Sequence, residues 1–146
     1  MVTVPFIKKH EKAIMPKYGS ASAAGADLYA CLDEAVTIGA HETKLIPTGL
    51  ILQLPEGYAG LIYARSGLAL KRNLAPANKV GVVDSDYRGE VMVALHNHGE
   101  TAQTVEYGER IAQLVVTPYL AVRFVEEEVL SETERGEGGF GSTGTK

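Results

Sequence analysis

Apolar and polar residues alternate in short runs along the chain, and glycine or proline separates most of these runs. The segment Glu90–His96 shows the pattern best, because Val91, Val93 and Leu95 fall on one face of an extended strand. The leucines at positions 50, 52 and 54 repeat the same spacing. A period of two with frequent turn residues predicts β-strands rather than helices.

The same criteria predict strands in ten segments: Thr3–Ile7, Ala26–Cys31, Val36–Ile38, Lys44–Leu54, Tyr58–Tyr63, Lys79–Val83, Glu90–His96, Thr104–Tyr107, Ile111–Thr117 and Val122–Val129. A helical pattern is limited to Ser66–Arg72, where Ser66 is placed to cap the first turn. Short strands at near-regular spacing are typical of β-sandwiches, jelly rolls and barrels. The sequence therefore predicts an all-β fold.

One predicted strand, Ile111–Thr117, is apolar on both faces except at Gln113. In a small domain only one face of a strand can pack on the domain's own core. The pattern therefore suggests that the second face meets another subunit.

Composition narrows the function classes. The chain has 146 residues, a net charge of −4 and one cysteine, Cys31. No uncharged run approaches the roughly 20 residues of a membrane helix, and a passive duplex-DNA binder would need a clustered basic face. We therefore expect a single-domain cytoplasmic protein with no membrane association and no stable binding of nucleic acid.

The carboxyl end differs in composition from the rest of the chain. This difference divides the chain into a β body over residues 1–130 and an arm over residues 131–146. The segment Arg135–Gly144 is half glycine, with one arginine, one aromatic ring and two hydroxyls. Such a segment is either a frayed terminus or a mobile lid whose backbone amides approach a phosphate closely.

The segment Asp84–Gly89 lies between two apolar runs and is predicted to form the tip of a β-hairpin. Asp84 and Asp86 either shape the turn or help to bind a small ligand. In the second case an ionised carboxylate here would orient an attacking water.

Three further segments carry candidate polar groups. Arg65, Ser66 and Gly67 lie where a predicted strand gives way to the predicted helix, and there they form either a phosphate-binding turn or an ordinary surface turn. Asp27 would reach the water shell of a metal or pair with an arginine. Gln113, in an apolar strand, needs a hydrogen-bond partner from the protein or from a ligand.

Other kinds of site have weaker support. His96 and His98 share a strand face, but two imidazoles alone rarely form a zinc site, and Cys31 has no neighbouring ligand. The sequence has no Walker phosphate loop and no Gly-x-Ser-x-Gly elbow. We assign no role to this histidine pair or to Lys79.

Taken in order, five segments resemble the homotrimeric deoxyuridine triphosphatases (dUTPases). They are Ala24–Tyr29, Ala64–Ala69, Gly81–Glu90, Glu109–Leu114 and Arg135–Gly144. The resemblance implies a jelly-roll-like distorted β-barrel, a homotrimer with active sites shared between subunits, and Mg²⁺-dependent hydrolysis of dUTP to dUMP and pyrophosphate.

The resemblance also implies a role for each matching residue of the body. Asp84 corresponds to the carboxylate that activates the attacking water, and Tyr87 to the ring that packs on the deoxyribose. The uracil-binding surface corresponds to Asn78, Val82, Val83 and Met92. The phosphate contacts correspond to Arg65, Ser66, Gly67 and Gln113, and the acid behind the metal's water shell corresponds to Asp27.

In the arm, the resemblance places Arg135 at the γ-phosphate and Phe140 over the uracil, with Gly141 and Ser142 as further substrate contacts. Closure of this arm would exclude bulk water from the site.

Two alternatives stay open at this point. A dCTP deaminase has a similar fold and phosphate turn, but it would need a glutamate base near the ring, where this chain has Asp84. A trimeric β-sandwich that binds protein partners would have no need of Asp84, Arg65 and Phe140 together.

Overall fold

The computed structural model describes residues 1–139, which form twelve strands and one helix. The strands are β1 (Phe6–Lys8), β2 (Lys17–Tyr18), β3 (Ala26–Tyr29), β4 (Val36–Ile38), β5 (Thr43–Pro47), β6 (Leu50–Leu52), β7 (Tyr58–Tyr63), β8 (Leu74–Pro76), β9 (Gly81–Val83), β10 (Met92–Asn97), β11 (Gln103–Val105) and β12 (Arg110–Pro118). The helix α1 (Ser66–Arg72) lies between β7 and β8. The all-β prediction is confirmed.

The strands form two main sheets, and every strand pairing is antiparallel. The larger sheet has the order β2-β3-β12-β7-β9, with β12 at its centre, and the smaller has the order β5-β10-β8. Two further pairs are β1 with β6 and β4 with β11. No helix in residues 1–139 is long and apolar enough to cross a membrane.

The core lies on one face of the larger sheet. Leu114 in β12 is opposite Ala26 in β3 and Ile62 in β7, and all three are buried. The alternation predicted for Glu90–His96, which contributes β10 to the smaller sheet, is also confirmed, because Val93 and Leu95 are at most 2% exposed. Burial of these side chains on both sheets provides most of the driving force for folding.

The outer face of the larger sheet carries a different set of side chains. Gln113 is opposite both Asp27 and Tyr63, so the three side chains share this face. Farther along, Val115 is only half-buried. The second face of β12 is therefore incompletely covered by residues 1–139.

The predicted strand Lys44–Leu54 is interrupted in the structure. It divides into β5 and β6 at Thr48, whose hydroxyl donates to the carbonyl of Val91 at 2.6 Å, and at Gly49, which has φ of 70°. A left-handed residue cannot continue a strand, so the chain turns here from one sheet pairing to another.

The predicted hairpin around Asp84–Gly89 is wrong. β9 pairs with β7 in the larger sheet, whereas β10 pairs with β5 and β8 in the smaller one. The apolar residues on both sides of the loop are buried, but against different partners: Val83 lies opposite Gly60, and Val93 lies opposite Ile46. The loop 84–91 therefore crosses between sheets.

One further predicted strand is wrong, and two observed strands have no counterpart in the sequence analysis. Residues 122–129 form no strand and are exposed, since no neighbouring strand within residues 1–139 satisfies their backbone groups. The two short strands β2 and β8 were not predicted, because two or three residues carry too little periodicity. The other predicted strands each overlap an observed one and differ from it only at their ends.

The short helix was predicted with its observed bounds, but its cap was not. Arg65 occupies the N-cap position with extended backbone angles, and Ser66 is the first helical residue. No side chain caps the first turn, whereas Asn73 ends the helix in the left-handed conformation.

Candidate active site

A polar cavity of about 220 Å³ opens where β3 and β12 meet the start of α1. Its lining brings together five residues predicted from the sequence: Asp27, Arg65, Ser66, Gly67 and Gln113. Arg110, Gly19, Ala23 and Gly25 complete it. With two guanidinium groups and one carboxylate, this basic cavity has an excess of positive charge and is suited to an anion.

Asp27 holds both arginines of the basic cavity. Arg65 Nε donates to one carboxylate oxygen of Asp27 at 2.7 Å, and Arg110 Nη1 donates to the other at 3.4 Å. The Asp27 side chain is only 13% exposed. Of the two roles left open for Asp27, the structure shows the pairing with arginine, which fixes the Arg65 side chain beside the helix start.

Gln113 finds its partner within the protein. Its Nε2 donates to the carbonyl of Ala64 at 2.8 Å, directly before Arg65. The Gln113 side-chain oxygen points at Gly25, where an added Cβ would lie only 2.5 Å from it. Gly25 is therefore required for this position of Gln113, which ties β12 to the turn that precedes α1.

The helix start offers open backbone groups to the basic cavity. Ser66 and Gly67 are exposed, and no atom lies within 4 Å of the position of a Cβ on Gly67. A bound anion would reach the first-turn amides here without displacing a side chain.

A second cavity, of about 330 Å³, lies between β9 and the start of β10 and has a largely apolar lining. It brings together six other residues predicted from the sequence: Asn78, Val82, Val83, Asp84, Tyr87 and Met92. Leu45, Ile62, Gly81, Glu90 and Val91 complete this apolar cavity. Its size and mixed lining suit a flat heterocycle with an attached sugar.

The loop that follows β9 forms one wall of the apolar cavity. The amide of Tyr87 donates to the carbonyl of Asp84 at 3.2 Å, which closes a turn, and the Tyr87 hydroxyl donates to the carbonyl of Glu90 at 3.0 Å. A Cβ on Gly89 would come within 2.3 Å of the Tyr87 hydroxyl, so the hydroxyl end of the ring lies against this glycine. Asp84 is exposed at the cavity mouth.

Sequence reasoning missed Glu90. Its carboxylate is 9% exposed and accepts hydrogen bonds from Lys9 Nζ at 2.8 Å and from the amide of Gly49 at 2.9 Å. Burial alone would raise the pKa of Glu90, but these hydrogen bonds and the charge of Lys9 outweigh burial, so the pKa is lowered. Both partners are remote in sequence, and no local pattern indicates them.

Among residues 1–139, the two cavities share no lining residue. Arg135 lines neither, and its Nε donates instead to the carbonyl of Gly138 at 2.8 Å. Phe140, Gly141 and Ser142 lie outside the described residues. One chain thus presents two separate groups of the predicted site residues.

The remaining candidates form no further site in the described part of the chain. The rings of His96 and His98 meet edge to face with centroids 4.5 Å apart, and no three His, Cys, Asp or Glu side chains of residues 1–139 come together at metal-binding spacing. Cys31 is buried, and burial raises the pKa of its thiol.

Solved structures of known proteins share this architecture. The dUTPase of Staphylococcus bacteriophage 80alpha, in a structure with dUpNHpp, superposes with a TM-score of 0.90 and is 29% identical. The match covers 98% of this chain and 99% of that one. The fold thus defines the chain as an all-β protein of the dUTPase jelly-roll class.

Sequence comparisons place the chain within that class. The family model described as dUTPase matches residues 11–144. A deoxyuridine 5'-triphosphate nucleotidohydrolase of Hydrogenobaculum sp. is 48% identical over 139 residues, covering 95% of this chain and 96% of that protein. Another from Rhizobium leguminosarum bv. trifolii is 52% identical, covering 89% of this chain and 85% of that protein. The chain belongs to the dUTPase family.

Proposed function

We propose that this chain hydrolyses dUTP to dUMP and pyrophosphate with Mg²⁺, in the cytoplasm. This activity would limit uracil incorporation into DNA and supply dUMP for thymidylate synthesis. The observation that carries the proposal is the division of the site residues between an apolar cavity with Asp84 at its mouth and a basic cavity with two arginines. A nucleotide has the same two parts, a base with its sugar and a chain of phosphates.

The apolar cavity would take the uracil and the deoxyribose. Asn78 and the backbone of β9 would bond the edge of the base, and Met92 would limit the space beside it. Fixed donors and acceptors discriminate between bases, because a wrong base leaves them unpaired. The ring of Tyr87 would pack on the deoxyribose and leave no room for a 2′-hydroxyl.

Asp84 would act on the reacting centre. Its carboxylate is exposed at the cavity mouth, so it would accept a proton from a water molecule as the water oxygen bonds to the α-phosphorus. The bond from this phosphorus to the bridging oxygen would break, and pyrophosphate would leave.

The basic cavity would bind the phosphates through Arg65, Ser66, Gly67 and Gln113, with Asp27 behind them. Mg²⁺ would be held mainly by phosphate oxygens, since residues 1–139 bring no three ligating side chains together. Asp27 keeps lone pairs for a water of the metal shell even while it accepts from both arginines. When bound, Mg²⁺ neutralises phosphate charge.

A homotrimer would bring an apolar cavity of one subunit to a basic cavity of another. In support of this proposal, the outer face of the larger sheet carries an apolar row of the half-buried Leu61 and Val115 and the exposed Val82, which lie side by side in the strand register. Beyond β12, Leu120 and Phe124 are 88% and 93% exposed. A second copy of the chain would cover such surfaces.

The arm, residues 131–146, would close the site once the nucleotide is bound. Arg135 would reach the γ-phosphate, and Phe140 would cover the uracil, next to Gly141 and Ser142. The glycines of this segment would permit the change in backbone conformation that closure requires.

A nucleotide panel tests the proposal. The protein is incubated with dUTP, dCTP, UTP or dTTP and Mg²⁺, and both pyrophosphate and ammonia are measured. We expect pyrophosphate from dUTP alone. Ammonia from dCTP would support a deaminase instead, and no product from any nucleotide would support a binding protein. A light-scattering mass near 15.6 kDa would contradict the trimer.

A further inference from the structure

We propose that Glu90 is a positioning residue that fixes the Tyr87 ring and thereby sets the discrimination between deoxyribose and ribose. This inference rests on the proposed function, in which Tyr87 packs on the sugar. The side chain of Glu90 joins the loop that carries Asp84 and Tyr87 to a distant turn, and its backbone carbonyl accepts from the Tyr87 hydroxyl.

The anchor is the buried carboxylate of Glu90. It accepts from the amide of Gly49 at 2.9 Å and from Lys9 Nζ at 2.8 Å. Gly49 is itself closely packed, because a Cβ there would lie 2.8 Å from atoms of both Ala13 and Cys31. The carboxylate is thus bonded to a tightly packed part of the body.

The position of the Tyr87 ring depends on this anchor. Its hydroxyl donates to the Glu90 carbonyl at 3.0 Å, and the ring lies against Gly89. Because the carbonyl belongs to the anchored residue, a shift of Glu90 would move the acceptor and release the ring. A loosely held ring no longer excludes one additional hydroxyl, whereas a fixed ring does.

The strand that follows does not depend on this anchor. The amide of Val91 donates to the carbonyl of Leu50 at 2.8 Å, and the carbonyl of Val91 accepts from Thr48. Loss of the Glu90 carboxylate should therefore loosen residues 84–90 and leave β10 in place. The effect should appear in substrate selection rather than in folding.

The test compares kcat/KM for dUTP with kcat/KM for UTP. We expect Glu90→Ala to lower this ratio at least about tenfold, through a higher KM for dUTP and a gain with UTP. Glu90→Gln keeps an acceptor for the Gly49 amide and should retain the ratio within about threefold. Thermal unfolding of each variant shows that it is folded.

Glu42→Ala is the matched control. Glu42 likewise accepts from a backbone amide, that of Gly39 at 2.7 Å, and lies 3.5 Å from Lys44 Nζ, but it lines neither cavity. Its loss should leave the dUTP:UTP ratio at the wild-type value. A general loosening of the protein would instead lower the ratio in both alanine variants and would overturn the inference.

Tyr87→Phe makes the test independent of whether Glu90→Ala folds. It removes only the hydroxyl that donates to Glu90, so it should lower the ratio as Glu90→Ala does, and the two changes together should add little. A wild-type ratio in either Tyr87→Phe or a folded Glu90→Ala variant would refute the positioning role.

Failure of the proposed function gives a different result. If the wild-type chain binds dUpNHpp without hydrolysing dUTP, the proposed activity is refuted, and the positioning role is judged by the ratio of Kd for UTP to Kd for dUpNHpp. A ratio that falls in Glu90→Ala but not in Glu42→Ala supports it. An unchanged ratio refutes it.

Discussion

Arg65 is held at the start of α1 by Asp27, whose carboxylate oxygen lies 2.7 Å from Arg65 Nε. The pair joins β3 to the turn after β7, although the two residues are 38 positions apart. The arginine is 26% exposed, so it faces the basic cavity without being free to swing into solvent. Preorganisation of this kind lowers the entropy cost of binding an anion.

Removal of Asp27 should destabilise the protein. Asp27→Ala leaves Arg65 and Arg110 without their shared carboxylate, and because Arg65 is partly buried we expect the free energy of unfolding to fall by about 1–3 kcal/mol. Urea denaturation measures the change. Asp33→Ala is the control, because Asp33 also forms an ion pair, with Lys12, but is 94% exposed, so its loss should cost little. Equal losses in both variants would contradict a special role for the Asp27 pair.

Replacement of Gly25 should reduce activity through Gln113. In Gly25→Ala the new Cβ would lie 2.5 Å from the Gln113 side-chain oxygen, so the amide must move away from Ala64. We expect kcat/KM for dUTP to fall about 10- to 100-fold, the usual cost of a small misplacement in a site. Gly19 lines the same cavity, but a Cβ added there would have no atom within 4 Å. The Gly19→Ala variant should therefore retain wild-type kinetics.

Asp84→Asn should abolish turnover without abolishing binding. The amide cannot accept the proton of the attacking water, so we expect kcat to fall about 10²- to 10⁴-fold. Calorimetry with dUpNHpp should show a Kd within about tenfold of the wild type, because the cavity keeps its shape. Near-normal pyrophosphate release would remove Asp84 from the role of base.

A chain that ends after Thr133 should lose kcat and keep its fold. Residues 134–137, the first of those removed, are exposed, so this part of the arm adds little to the core. We expect the Tm to change by less than about 2 °C and kcat to fall more than about 100-fold, because the lid no longer excludes water. Full activity of the shortened chain would show that residues 134–146 are only a frayed terminus.

The stabilising effect of Glu90 should depend on pH. Its pKa is lowered in the folded state, so its ionised form stabilises the fold above the unfolded value of about 4.3, and this contribution is lost as the pH falls through the folded pKa. At pH 7 the wild type should therefore be more stable than Glu90→Gln and unfold at a higher temperature. The difference in the free energy of unfolding should be about 1 kcal/mol at most, because Lys9 is half exposed. Calorimetry should show the difference closing below pH 4. A gap that stays constant with pH would contradict the ionised anchor.

The site residues could be found in the sequence to the extent that their neighbours along the chain mark them. Arg65, Ser66 and Gly67 begin a predicted helix, and Asp84 follows an apolar run, so local patterns were enough to single them out. Glu90 precedes a strand in the same way, but its partner Gly49 is 41 positions away, and nothing near either residue indicates the contact.

The crossing of the loop 84–91 illustrates why topology was harder to predict than strands. Two apolar runs joined by a short polar segment normally form a hairpin, and the sequence satisfies that pattern. Val83 and Val93 nevertheless lie in strands of different sheets, because each strand pairs with a strand that is remote along the chain. Local residue types do not encode such a choice.

The amino-acid sequence by itself determined the all-β class, the helix over residues 66–72, and the chemistry of the groups that can act on a nucleotide. These features depend on residue type and short-range period, which act before distant segments meet. Only the tertiary structure decided that Asp27 holds two arginines, that Gln113 bonds Ala64, and that the Glu90 carboxylate bonds the amide of Gly49. Those contacts exist because burial forces each polar group to find a partner, and the folded packing alone determines which partners lie within reach.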